Sequence, residues 1–113
     1  MDESVIDRAV YAELRATTGA EFVAELVDAF IEEGPRMLAE LRSAHADGDA
    51  ERFRRAAHSL KSNGNTFGAV KLAALARELE LKGLDSARDA VALAPLEAEY
   101  ARAVAELKAL RNG

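Results

Sequence analysis

Residues 56–69 read AAHSLKSNGNTFGA and hold one of the chain's two histidines, His58, with Lys61 three residues on. Four small or short residues, Ser62, Gly64, Asn65 and Gly68, crowd the same stretch. A neutral imidazole is a nucleophile near pH 7. On a helix, a lysine three residues beyond it lies on the same face. There the cation disfavours the imidazolium, keeps the ring in its nucleophilic form, and would stabilise an anion attached to it. Small neighbours leave the ring standing proud, within reach of another protein. These residue types at this spacing point to acceptance of a phosphoryl group. The plain alternative is an idle surface histidine on a solvated basic face.

Which way each side chain points follows from helical geometry. Phe53, Ala57, Leu60, Gly64 and Phe67 form an apolar stripe. With the stripe at zero and about 100° per residue, His58 lies roughly 140° away, Asn65 about 120°, Arg54 about 100°, Lys61 about 80° and Ser62 about 180°. His58 is therefore predicted to face solvent, with Lys61 one turn on and Arg54 one turn back. NGN at 63–65 would signal a hairpin between alternating strands. Its flanks carry a helical period instead, so the helix is predicted to run on to Gly68, its C-terminal glycine.

That helix needs a frame. Ala, Leu, Glu and Arg abound and β-branched residues are sparse, so nearly the whole chain is predicted helical. A short first helix spans about 6–17 and ends at TTG. The second spans about 20–46, where Val23, Val27, Phe30, Met37 and Leu41 make a heptad-like seam and Gly34 fills the gap. Pro35 is expected to kink this helix without ending it, because the seam continues in phase. After the turn at 46–49, Asp49 is the expected N-cap of the third helix. A fourth carries Leu72, Leu75, Ala76 and Leu79 and ends near KGLD. A fifth, from about 86–89, carries Leu93, Leu96, Tyr100, Val104 and Leu107, with Pro95 marking a kink or a restart. The predicted fold is all-α, an antiparallel four-helix bundle with a short additional N-terminal helix as a lid.

The chain's 113 residues suit one domain, 1–113, with a bundle core over about 20–111. There is no cysteine, which removes disulfides and thiolate metal sites. MDESVIDRAV lacks the basic start and apolar run of a signal peptide, and no stretch approaches the ~20 apolar residues of a membrane span. A soluble, cytoplasmic protein with no membrane contact is expected. The net charge of −5 argues against nucleic acid as a partner. It is unevenly spread: residues 1–50 hold 12 acids and 4 bases (−8), residues 51–82 hold 3 and 7 (+4), and residues 83–113 hold 5 and 4 (−1). The basic third is the one that contains His58. KSNGNTFGAVK has no Gly-Lys-Ser/Thr, so no phosphate-cradling loop and no autonomous kinase activity are expected. Metal binding is not expected either: His45 and His58 sit on different elements, and HADGD lacks the ligands of a calcium loop. His45 is read as a last-turn residue favoured by the helix dipole.

At this point AHSLKSNGNTFGA resembles the signature of histidine-containing phosphotransfer (HPt) domains of bacterial and plant phosphorelays. That pattern is a histidine, a lysine three residues later, a small residue next, and a glycine ten after the histidine. His58, Lys61, Ser62 and Gly68 match it, with Ser62 where glycine is commoner. The resemblance extends over about 22–110, including the mid-helix proline and the GD before the motif helix.

The resemblance implies a bundle whose exposed His58 carries phosphate between aspartates of receiver domains, the partners being response-regulator receivers and a hybrid histidine kinase. It implies no cofactor of the chain's own, the Mg²⁺ and acid cluster coming with the receiver, whose acidic pocket suits the basic third. Lys61 would neutralise the phosphate, Gly68 shape the helix end, and Ser62, Gly64 and Asn65 keep the approach open. The expectation is a monomer that docks its receiver across the second and third helices, through Phe22 and Leu26 or Ile31 and Leu38. The dimerisation helix of a sensor kinase is a poorer match, since an acid would follow the histidine and Ser59 does instead. A non-catalytic helical adaptor is the remaining alternative.

Overall fold

The structure, a computed structural model, describes residues 5–86 and 93–112. Among these residues five α-helices follow one another: α1 (Arg8–Thr18), α2 (Ala20–Asp47), α3 (Ala50–Phe67), α4 (Val70–Lys82) and α5 (Ala94–Asn112), with a 3₁₀ turn at Gly83–Ser86. Local chemistry sets most of the boundaries. The Asp7 carboxylate accepts from the amides of Ala9 and Val10, and that of Asp49 accepts from Arg52 at 3.1 Å, each meeting amides a helix start leaves unpaired. α2 and α3 both end on a left-handed glycine, Gly48 (φ 68°) and Gly68 (φ 79°).

α2 to α5 form an antiparallel ring in which each helix packs on its chain neighbour and α5 closes back on α2. The order of cross-links shows the direction: Arg111, Tyr100 and Glu97 of α5 meet Asp28, Phe30 and Arg42 of α2 in turn. All five residues of the predicted α3 stripe are buried, among Phe30, Leu41, Leu72, Leu96 and Leu107. Burying each large side chain stabilises by roughly 1.5–3 kcal/mol, so α3 is a firmly seated platform. Met37, placed on the α2 seam by its spacing, is only half buried, at the seam's edge.

Gly34 and Pro35 have a partner that periodicity does not reveal. The Tyr100 ring occupies the place of a Gly34 side chain: a Cβ there would lie 1.8 Å from its oxygen. The Tyr100 hydroxyl donates to the Phe30 carbonyl at 2.7 Å, with the Ile31 carbonyl at 3.3 Å. Pro35 has no N–H to offer Ile31, four residues earlier, so the hydroxyl stands where a helical donor is missing. α2 runs through Pro35 without a break. Burial pushes the Tyr100 phenol up to about 12.

α1 fastens the far end of α3. Ile6 is buried, and the Asp7 amide donates to the Gly68 carbonyl at 2.7 Å. A Cβ on Gly68 would lie 2.8 Å from the Asp7 carbonyl oxygen, so Gly68 is required both by its φ and by the closeness of α1. α5 begins at Ala94, with Pro95 in the first turn, where a missing N–H costs nothing. The stretch 87–92, which includes most of the expected start, lies outside the described residues. No described helix is long and apolar enough to cross a membrane.

Candidate functional site

His58 sits mid-way along α3, on the face opposite the buried stripe, with its side chain 54% exposed. The residue that defines its chemistry comes from α4. Glu80 Oε2 lies 2.7 Å from His58 Nδ1, and Glu80 Oε1 lies 2.7 Å from the Lys61 ammonium. The Glu80 side chain is only 13% exposed, and its Oε1 is shielded from solvent, facing Lys61 as an ion pair without the alignment of a hydrogen bond. The Lys61 ammonium, and after it His58, hold the Glu80 carboxyl below its usual 4.5, outweighing the opposing effect of desolvation. Glu80 is therefore ionised at neutral pH and has no proton to give.

This fixes the ring. Against an acceptor-only carboxylate, Nδ1 must be the donor, so the neutral imidazole carries its proton there. The lone pair is then on Nε2, for which the described residues provide no partner. The arrangement is that of an oriented nucleophile: exposed nitrogen outward, inner nitrogen tied to a carboxylate.

Lys61 does not stand free, as expected of a solvent-facing cation. Its side chain is 25% exposed and paired with Glu80. Its position about 80° from the stripe puts it at the helix boundary, where a long side chain turns toward the neighbouring helix. Arg54 is exposed and paired with Glu51 at 2.7 Å. Ser62 and Asn65 are exposed. Gly64 is buried and faces α4, where a Cβ would meet the Ala69 carbonyl and Ala73 at 3.3 Å. It lets α3 and α4 approach and does not border the imidazole. Gly68, ten residues along, is about 15 Å from His58 along the helix and belongs to the α1 contact. His45 is half-buried in the last turn of α2, its ring 6.2 Å from that of Phe53.

α2 and α3 enclose a groove of about 340 Å³ that reaches Ser59, the residue after His58. Met37, Ala56 and Ser59 line it together with the cations Arg36, Arg52 and Arg55 and the acids Glu33 and Glu40. The apolar residues expected to receive a partner are not among those that line this groove. Leu26, Ile31 and Leu38, like Met37, are partly buried against the core. Phe22 is 49% exposed, but it is fifteen residues before Met37, roughly 20 Å along α2.

Nothing in the spacing along the chain links Glu80 to His58, 22 residues before it. Its one signal is its place beside Leu79 on the fourth helix, and a charged residue at a helix boundary is too common to single out.

The family model of the Hpt domain matches residues 25–113. The structure superposes on the crystal structure of histidine-containing phosphotransfer protein B (HptB) from Pseudomonas aeruginosa PAO1 with a TM-score of 0.88 and 29% identity. That alignment covers 98% of this chain and 97% of the other. Comparison with curated proteins gives no match. An exposed histidine on a four-helix bundle agrees with the matched family, and this chain belongs to the Hpt domain family.

Proposed function

We propose that the protein is a phosphorelay shuttle in which His58 Nε2 takes a phosphoryl group from the aspartyl phosphate of one receiver domain and gives it to the aspartate of another. The observation that carries this is the orientation of His58: Nδ1 is held 2.7 Å from Glu80 while the ring is half exposed on a rigid helix. Phosphoryl transfer is largely positioning and charge neutralisation. Here α3 supplies the positioning and Lys61 the cation nearest the motif face. The Mg²⁺ that such a transfer uses belongs to the receiver. Among the described residues, the carboxylate in contact with His58 is that of Glu80, already engaged by Lys61 and the imidazole.

The receiver docks over the α2–α3 groove. Among the described residues Arg36 makes no ion pair and Arg55 pairs only with Glu51, at 4.0 Å, so both suit an acidic receiver surface. Met37 and Ala56 offer it an apolar floor.

The test is label transfer. With ATP and Mg²⁺ alone the protein stays unlabelled. With a phosphorylated receiver present it acquires label that is lost in acid and kept in base, as a phosphoramidate is. His58→Gln removes the label and leaves the helical circular dichroism unchanged. Labelling from ATP without a partner would make the protein a kinase, and equal labelling of His58→Gln would move the site elsewhere. A total lack of labelling by receivers would favour an adaptor.

A further inference from the structure

His58 does not stand at the crest of α3 but leans toward α4. With the buried stripe at zero and about 100° per residue, Lys61, Arg54, Asn65 and His58 lie at roughly 80° to 140° on one flank. Ala56 and Ser59 lie about 60° and 120° round the other way. The first flank meets α4, where Glu80 touches the imidazole. The second meets α2 at the groove. We infer that a receiver seated on His58 rests on the outer face of α4 as well as on the groove, with Leu81 and Arg77 as contacts that select it. This rests on His58 being the phospho-acceptor for receivers, and adds to that reading the side of the site opposite the groove.

Val70, Ala74, Arg77 and Leu81 recur at helical spacing on α4, roughly 60° to 120° outward from Glu80. Val70 is 59% and Leu81 67% exposed, and Ala74 and Arg77 are exposed with them. The fold has no use for these apolar groups, because the inner side of α4 already buries Leu72, Ala73, Ala76 and Leu79. A single exposed leucine is ordinary. Two large apolar side chains in one band of the helix beside the nucleophile are not a random scatter. Phe22, the other large apolar residue exposed among those described, sits near the start of α2.

Charge and size agree on the occupant. Both acids of α4 are engaged, Glu78 by Lys82 at 2.9 Å and Glu80 by Lys61 and His58. Lys71 and Arg77 make no ion pair among the described residues. The face is left positive, which suits the acidic surface of a receiver. A specific protein contact of standard size covers roughly 800 Å² of each partner, a disc of about 16 Å radius. Packed helices lie about 8–10 Å apart. A disc centred on His58 therefore reaches α2 on one side and α4 on the other. Arg77 and Leu81 flank Glu80 and fall inside it, while Val70, about 15 Å before Glu80 along α4, falls at its rim.

The test compares variants of the full chain in transfer from a phosphorylated receiver domain, with the initial rate followed against receiver concentration. Leu81→Ser is expected to raise the concentration for half-maximal rate about tenfold, and Arg77→Glu several-fold at low salt. Phosphoramidate, which needs no docking, should label both variants as fast as the parent, because neither residue touches the imidazole. That separates lost docking from a damaged His58. Phe22→Ser, the loss of an exposed apolar group roughly 20 Å along α2 from Met37, should weaken transfer less than Leu81→Ser does. Parent-like transfer by both α4 variants would overturn the role of α4, as would a larger loss in Phe22→Ser. A parent that phosphoramidate labels and no phosphorylated receiver does would overturn the shuttle reading, and this inference with it.

Discussion

Lys61 illustrates how a single residue changes meaning when its partner is known. On a solvent-facing helix it would be a cation waiting for phosphate, and its loss would hardly affect stability. Paired with the nearly buried Glu80, it also neutralises a carboxylate that solvent reaches poorly. Lys61→Ala is expected to slow phosphoryl transfer about 10- to 100-fold through lost charge stabilisation, read by rapid-quench labelling. It should also lower the melting temperature more than Lys71→Ala, whose side chain is exposed and has no partner among the described residues. The stability difference depends on pH in a definite direction. Because Glu80 titrates below 4.5 when folded, the pair's contribution is complete above that value and disappears as pH falls through the folded one. Parent and Lys61→Ala should therefore converge in stability in acid. A gap of constant size down to pH 3 would show that Lys61 contributes by packing and not by charge.

At the scale of elements, α2 depends on α5 for the integrity of its middle. In an ordinary helix interior, replacing glycine by alanine gains about 1 kcal/mol. At Gly34 the sign reverses, because the Cβ would fall inside the Tyr100 ring, whose oxygen is anchored to the Phe30 carbonyl. Gly34→Ala is expected to destabilise by about 2–3 kcal/mol, measured by urea unfolding, as overpacking of a filled site does. Tyr100→Phe should cost about 1 kcal/mol, the net worth of a hydrogen bond. In a Tyr100→Ala background the Gly34→Ala penalty should vanish, and its persistence there would place the strain in α2 itself. The consequence for function is indirect but physical. Met37, which lines the groove that reaches Ser59, follows Pro35 by two residues, so Tyr100 helps hold one wall of the docking surface.

Across the whole molecule, charge is segregated in a way that favours encounter with an acidic partner. The segment 51–82 carries +4 while the chain carries −5, and His58 lies within the basic segment. Such a field guides approach more than it adds affinity, and salt weakens it over about 8–10 Å. Transfer from a phosphorylated receiver at limiting concentration should therefore slow as ionic strength rises. Arg55→Glu should slow it several-fold at low salt and flatten the salt dependence. Its phosphorylation by phosphoramidate should be unaltered, since Arg55 does not touch the imidazole. A salt-independent rate in the parent would mean that apolar contact in the groove governs encounter.

How much of this was legible in the sequence follows from the range of the forces involved. The stripe Phe53–Ala57–Leu60–Gly64–Phe67, the outward direction of His58, the Asp49 cap and the glycine end at Gly68 all follow from hydrogen bonds and side-chain spacings within a few residues of one another. Such local regularities are written in the order of the residues, and the structure agrees with them. Glu80 meets His58 across 22 positions, and Tyr100 meets Phe30 across 70. Gly64 turned out to serve the contact with α4, and Lys61 the pair with Glu80, for the same reason. Which side chains of two helices come opposite each other depends on their crossing and offset. Those are set by how all the large core residues fill space together, and no spacing along the chain records that sum. The sequence alone thus determined that a nucleophile would stand exposed on a helix. Only the tertiary structure decided which of its two nitrogens is free, because that depends on a carboxylate brought from another helix.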